Sequence, residues 1–190
     1  MTAELPLNAP QRYKLTLDDF ALLNGAGAFA GYAKTELIDG RVFGLNAQHR
    51  PHARAKDELA YRLRRALEAS GNALSVLTEV TVAMPPNDAP QPDILLTSEA
   101  EGDGPVPIGS VALIVEVADT TLDFDLGPKA ALYAAAGVPE YWIVDLNERR
   151  CLLHMGAGAD GYAEQLDVPF GETIISGTIE GLEASTSGLA

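Results

Sequence analysis

Apolar positions along the chain change period several times, and the changes mark its elements. Thr16-Leu17-Asp18-Asp19 opens a short helix: Thr16 is a capping residue, the two acids suit the positive end of a helix, and Leu17, Phe20, Ala21 and Leu23 share a face that Gly25 and Gly27 end. Asp39-Gly40 then separates two apolar runs across Thr35 to Phe43, the signature of a β-hairpin with Glu36 and Ile38 on one face. From Gln48 to Ser70 the spacing is helical, with His52, Leu59, Leu63, Ala66 and Leu67 on one stripe and Gly71-Asn72 as the stop. Strands are predicted over Leu74 to Met84, Asp93 to Thr97 and Val111 to Val117, and a second long helix over Asp125 to Ala136, closed by Gly137 and Pro139. Shorter strands follow at Tyr141 to Val144, Arg150 to His154, Gly161 to Leu166 and Thr173 to Ile175. The pattern predicts one α/β domain with a mixed central sheet over residues 15–180, an N-terminal extension over 1–14 and a loose C-terminal tail over 181–190.

Composition narrows the class. A chain of 190 residues with 47% apolar content is one domain's worth of sequence and is not disordered as a whole. The single cysteine, Cys151, lies in a strand-like run and reads as a structural thiol; one cysteine excludes an intrachain disulfide framework and fits a reducing compartment. The N-terminus has neither a basic nor an apolar leader region, and no run approaches the length of a membrane span. The expectation is a cytoplasmic protein with no membrane partner. A net charge of −14, from 27 acids against 13 Lys and Arg, excludes coating of nucleic acid by bulk charge.

Several motifs compete for the chemistry. Gly25-Ala26-Gly27-Ala28-Phe29-Ala30 has the spacing of a dinucleotide-binding loop, but it closes a helix instead of following a strand. His49 and His52 flank Pro51, which belongs at a helix start, so only His52 is carried on the helix, either as a buried structural residue or as part of a site. Val111 to Ala118 is apolar in seven of eight positions, and the exception, Glu116, needs a partner if the strand is buried on both faces. The preceding strand also opens with an acid, Asp93. Carboxylates at the ends of neighbouring strands can hold a hard cation such as Mg2+ and leave positions for water and phosphate. Between Ala66 and Pro128 there are eleven acids and no Lys or Arg, and Lys129 is the first cation after that stretch. Asp125, Lys129 and Tyr133 stack at helical spacing, either as an ordinary surface pair or as a lysine reaching back to the carboxylates.

In this order, Pro92-Asp93, Glu116-Val117, Lys129 and the run Ala131 to Asp145 resemble the Uma-two family of restriction-endonuclease-like proteins, as do Leu15 to Phe20 and Thr35 to Arg41. The resemblance spans about Leu15 to Asp145. It implies the PD-(D/E)xK nuclease superfamily, with a restriction-endonuclease-like mixed central sheet flanked by helices and, here, extra C-terminal antiparallel strands. The usual signature places its lysine two residues after the second acid, where this chain has Ala118; in this family the next helix supplies it, which matches Lys129. By resemblance Asp93 and Glu116 bind Mg2+ or Mn2+, Lys129 assists the attacking water, and Glu36 and His52 line the site.

The expected activity is metal-dependent hydrolysis of DNA phosphodiesters by a homodimer whose late strands pair across a two-fold axis. Two alternatives use the same residues: a catalytically silent scaffold, favoured by the acidity, and a phosphodiesterase acting on RNA or a small phosphoester. Arg50, Arg54, Lys56, Arg62, Arg64 and Arg65 place six of the 13 cations within 16 residues, either as a surface for a polyanion or as a solvated helix face. Tyr141 and Trp142 are predicted to be core or dimer contact instead of a base-stacking platform.

Overall fold

The computed structural model describes residues 10–189, so residues 1–9 of the expected N-terminal extension and Ala190 lie outside the described residues. Helix α1 (Leu17–Gly25) begins with a reciprocal cap in which Thr16 and Asp19 satisfy each other's backbone N–H groups. The hairpin of β1 (Lys34–Ile38) and β2 (Arg41–Leu45) follows, then helix α2 (Arg50–Ser70), with Pro51 in its first turn and Gly71 in the left-handed region at its end. The chain continues through β3 (Ser75–Thr78), β4 (Val82–Ala83), β5 (Ile94–Thr97), β6 (Val106–Pro107) and β7 (Val111–Ala118). A helical crossover made of α3 (Leu122–Phe124), a π-helical turn (Asp125–Lys129) and α4 (Ala130–Ala135) leads to β8 (Glu140–Asp145). It is completed by β9 (Arg150–Gly158), β10 (Gly161–Pro169), β11 (Thr173–Ile175) and β12 (Glu183–Ser185).

Six strands form the central sheet in the order β10-β9-β8-β7-β5-β3. Only β7 and β8 are parallel, joined by the helical crossover; every other pair is antiparallel, so the sheet is mixed. Strand periodicity divides its core into two layers. Leu113, Val115 and Val117 of β7 pack with Leu59, Leu63 and Leu67 of α2, whereas Ile114 and Ala118 pack with Ala130 and Tyr133 at α4. Trp142 lies in the first layer and Tyr141 in the second, both fully buried, and Cys151 is a buried core thiol whose pKa burial pushes up to about 12.

Two expectations need correction. The strand predicted over Leu74 to Met84 breaks at Glu79, whose φ of 54° turns the chain, so β3 joins the central sheet while β4 pairs with β6. The tail predicted to be loose is packed: β12 pairs with β11, and Leu182, Ala184 and Leu189 are buried against the α2 layer. Its Ser, Thr and Gly content hides three apolar anchors. Thr186 secures the stretch by donating through Oγ1 to the Glu172 carbonyl at 2.7 Å.

The hairpin turn is a mirror-type turn, with Asp39 at φ 51° and Gly40 at φ 69°. A Cβ at Gly40 would lie 2.5 Å from Lys14 Cβ and 2.8 Å from its Cα. Gly40→Ala is therefore expected to cost about 1–3 kcal/mol, read as a lower urea midpoint; an unchanged midpoint contradicts this account of the turn.

Candidate active site

Four elements deliver buried charge to one place. On β7 the alternation that turns Val115 and Val117 toward α2 turns Glu116 the other way, beneath the crossover. The register pairing Ile94 with Val115 sets Asp93, one residue before β5, beside Glu116, and the Asp93 N–H donates to Glu116 Oε2 at 3.4 Å. Strand β1 contributes Glu36, fully buried, which accepts from the Gln91 N–H at 2.9 Å. The π-helical turn contributes Asp125 and Lys129, 2% and 3% exposed.

Lys129 is the hub. Its Nζ donates to Glu116 Oε1 at 2.8 Å and to Glu36 Oε1 at 3.2 Å, and lies 3.7 Å from Asp125 Oδ1. Tyr133 Oη donates to the same Glu116 Oε1 at 3.0 Å. Burial by itself pulls the lysine's pKa down, but Glu116, Glu36 and Asp125 together raise it above its ordinary value. Lys129 is thus held in its cationic form by the three carboxylates around it. Glu116 is raised as well, which for a carboxyl favours the neutral form: burial takes it to about 8, helped by Asp93 and Asp125 and opposed by Lys129. Burial raises Asp125 as well, while Thr121 Oγ1 donates to its Oδ2 at 2.6 Å.

Asp93 stays ionised. Burial would raise it, but the hydrogen bond from His52 and the charge of Lys34 hold it down to about 2. Val117 N–H donates to Oδ2 at 2.8 Å, His52 Nε2 lies 3.2 Å from the same atom, and Gln48 Nε2 donates to Oδ1 at 2.9 Å. These groups line an open cavity of about 420 Å³, with the hairpin residues Gly44 and Leu45 on one side and Thr120, Thr121 and Phe124 on the other.

The donor set suits a hard divalent cation. Buried Glu36, Asp93, Glu116 and Asp125 face two cations, Lys129 and Lys34, whose Nζ lies 3.4 Å from Glu36 Oε1, leaving two negative charges over when all are ionised. Tyr133 and Lys129 both occupy Glu116 Oε1, while Oε2 carries one long hydrogen bond and has lone-pair capacity to spare. Among the described residues no three His, Cys, Asp or Glu side chains form a ready-made cation cage. A cation here would rest on Asp93 and Glu116 and complete its shell with water and substrate, which is the habit of Mg2+.

All five residues named from the sequence come together. Asp93, Glu116, Lys129 and His52 line the cavity, and Glu36 braces Lys129 from behind. The helical stack of Asp125, Lys129 and Tyr133 is a buried network and no surface pair. Sequence reasoning missed Lys34 and Gln48 altogether; Lys34, two residues before Glu36 and so on its face of β1, carried a findable signal, and Gln48 did not.

The six-stranded mixed central sheet flanked by helices is the restriction-endonuclease-like architecture. The family described as "Putative restriction endonuclease", Uma2, matches residues 18–187, and the chain belongs to that family. A crystal structure described as "a putative nuclease belonging to DUF820 from Anabaena variabilis ATCC 29413" is similar over 92% of this chain and 97% of its own, with a TM-score of 0.70 and 13% sequence identity, a likeness of fold. No curated protein matches the chain. Among the described residues no helix is long and apolar enough to cross a membrane.

Proposed function

We propose that the protein is a metal-dependent endonuclease that hydrolyses DNA phosphodiester bonds, with Asp93 and Glu116 holding Mg2+ or Mn2+. The observation that carries the reading is the convergence of four buried carboxylates, Glu36, Asp93, Glu116 and Asp125, on only two lysines beside one open cavity. When bound there, a divalent cation supplies positive charge for the scissile phosphate and acidifies a water molecule. Asp93, ionised at any physiological pH, provides one permanent ligand. Glu116 would provide the second once deprotonated, its Oε1 pinned by Lys129 and Tyr133 and its Oε2 carrying only one long hydrogen bond. Lys129 keeps the carboxylates in register and adds positive potential, while His52 and Val117 N–H fix the Asp93 carboxylate. A second copy paired along β10, which has one neighbour among the described residues, would give the two sites that cutting both strands requires.

Supercoiled plasmid incubated with Mg2+, Mn2+ or EDTA tests the reading. Nicking and linearisation are expected with either ion and are expected to stop in EDTA. Equal cleavage in EDTA, or none under any condition, would overturn it.

Part of the basic helix face is engaged within the protein. Arg62 pairs with Glu58, Arg64 donates to the Val76 carbonyl, Arg65 donates to Tyr61, and Lys56 is buried against Glu79. Arg50 and Arg54 stay exposed at the end of α2 that borders the cavity, with no ion pair among the described residues. Arg50→Ala with Arg54→Ala is expected to lower the slope of log affinity for duplex DNA against log salt by about 2, measured by fluorescence anisotropy with Ca2+ present; an unchanged slope would remove these residues from the DNA path.

A further inference from the structure

Behind Asp93 runs a line of polar side chains that the hydrolysis above does not use. Gln48 Nε2 donates to Asp93 Oδ1 at 2.9 Å, and its Oε1 accepts from Lys56 Nζ at 3.0 Å. Lys56, 6% exposed although it is a lysine, also donates to Glu79 Oε1 at 2.6 Å. Chemistry gives the line a direction. A primary amide can present either its oxygen or its NH2, whereas an ammonium only donates, so Lys56 claims the Gln48 oxygen and commits the NH2 to Asp93. A flipped amide would set oxygen against carboxylate and NH2 against ammonium.

Glu79 is itself held firmly. Its backbone occupies the left-handed region at φ 54°, its N–H donates to the Asp93 carbonyl at 3.2 Å, and its own carbonyl accepts from the Gln91 side chain. A non-glycine residue in that conformation persists where its surroundings over-determine it. The line therefore starts and ends at Asp93, once through its backbone carbonyl and once through three side chains.

We propose that Glu79, Lys56 and Gln48 are positioning residues that act in series to fix the Asp93 carboxylate for the divalent cation, an inference that rests on the proposed nuclease reading. A simple brace of α2 against β3 would also use Lys56 and Glu79, but it would give Lys56 no influence on cation affinity through Gln48. Isothermal titration of the full chain with Mn2+ separates the two. Gln48→Met and Lys56→Met are each expected to weaken Mn2+ binding about tenfold to a hundredfold. The double variant is expected to bind no more weakly than the weaker single one, and Lys56→Arg, which keeps a donor-only cation, is expected to retain most of the affinity. Thermal melting of each variant confirms folding, and should Lys56→Met fail to fold, Glu79→Gln at a half-exposed carboxylate replaces it, with several-fold weakening that Gln48→Met abolishes. Single variants that bind Mn2+ like the unaltered protein, or losses that multiply in the double variant, would overturn the relay and leave the nuclease reading standing. An unaltered protein that takes up no Mn2+ would overturn both.

Discussion

Asp93→Ala and Glu116→Gln are expected to reduce metal-dependent DNA cleavage alike, by on the order of a hundred- to a thousandfold in kcat, while moving stability in opposite directions. Asp93 accepts from Gln48 and the Val117 N–H and faces His52, so its loss strands buried donors at about 1–3 kcal/mol each. Its pKa lies near 2, below the ordinary 3.8, so the ionised carboxylate stabilises the fold above about pH 4, and that contribution fades as pH falls through 2. Glu116 has the reverse sign. With a pKa raised from 4.5 to about 8, the folded protein keeps a proton that the unfolded chain has released, so the metal-free protein loses stability as pH rises across that window. The amide introduced by Glu116→Gln stays neutral throughout. This variant is therefore expected to melt above the unaltered metal-free protein at pH 9 and close to it at pH 5, by differential scanning fluorimetry in EDTA. Lower melting at pH 9, or cleavage that survives either substitution, contradicts the roles assigned to the pair.

Lys129→Met is expected to be the most destabilising change at the site. It removes the partner shared by Glu116, Glu36 and Asp125, all buried, and breaking a buried ion pair from one side costs about 3–5 kcal/mol. The deficit depends on pH in a defined direction. Burial already raises Glu116 and Asp125 against the pull of Lys129, so without the ammonium both hold protons still more readily in the folded state than in the unfolded one, and acidification restores stability while alkali removes it. Urea denaturation in EDTA is expected to show a larger loss at pH 8 than at pH 5, and equal losses at the two values would show that Lys129 acts by packing alone. Mn2+ is expected to recover part of the loss at pH 8, because a divalent cation can replace the missing charge.

How much of this was legible depended on whether the deciding force was local. Asp39-Gly40 announced the hairpin because backbone sterics alone select that turn, and Glu116 stood out because an ionised group in an apolar strand demands a partner. The break at Glu79 gave no warning: apolar residues continue past it, and the turn is imposed by contacts to Asp93 and Gln91 brought in from elsewhere. Asp125 and Lys129 have the spacing of an exposed helix pair, and only the π-helical turn under β1 makes them buried. Lys56 lay among the basic residues of α2 by composition, yet Gln48 and Glu79 turn it inward. The C-terminal stretch was misjudged because its few apolar residues are diluted by small polar ones, while the surface that receives them is built by α2 and β11.

The central claim is that this cavity holds a divalent cation between Asp93 and Glu116. Anomalous diffraction from crystals soaked in Mn2+ above pH 8 tests it most directly. The account predicts an anomalous peak in contact with both carboxylates in the unaltered protein and no peak there in Asp93→Ala. A cavity that stays free of manganese, with Lys129 and Glu116 still paired and ordered, would contradict it.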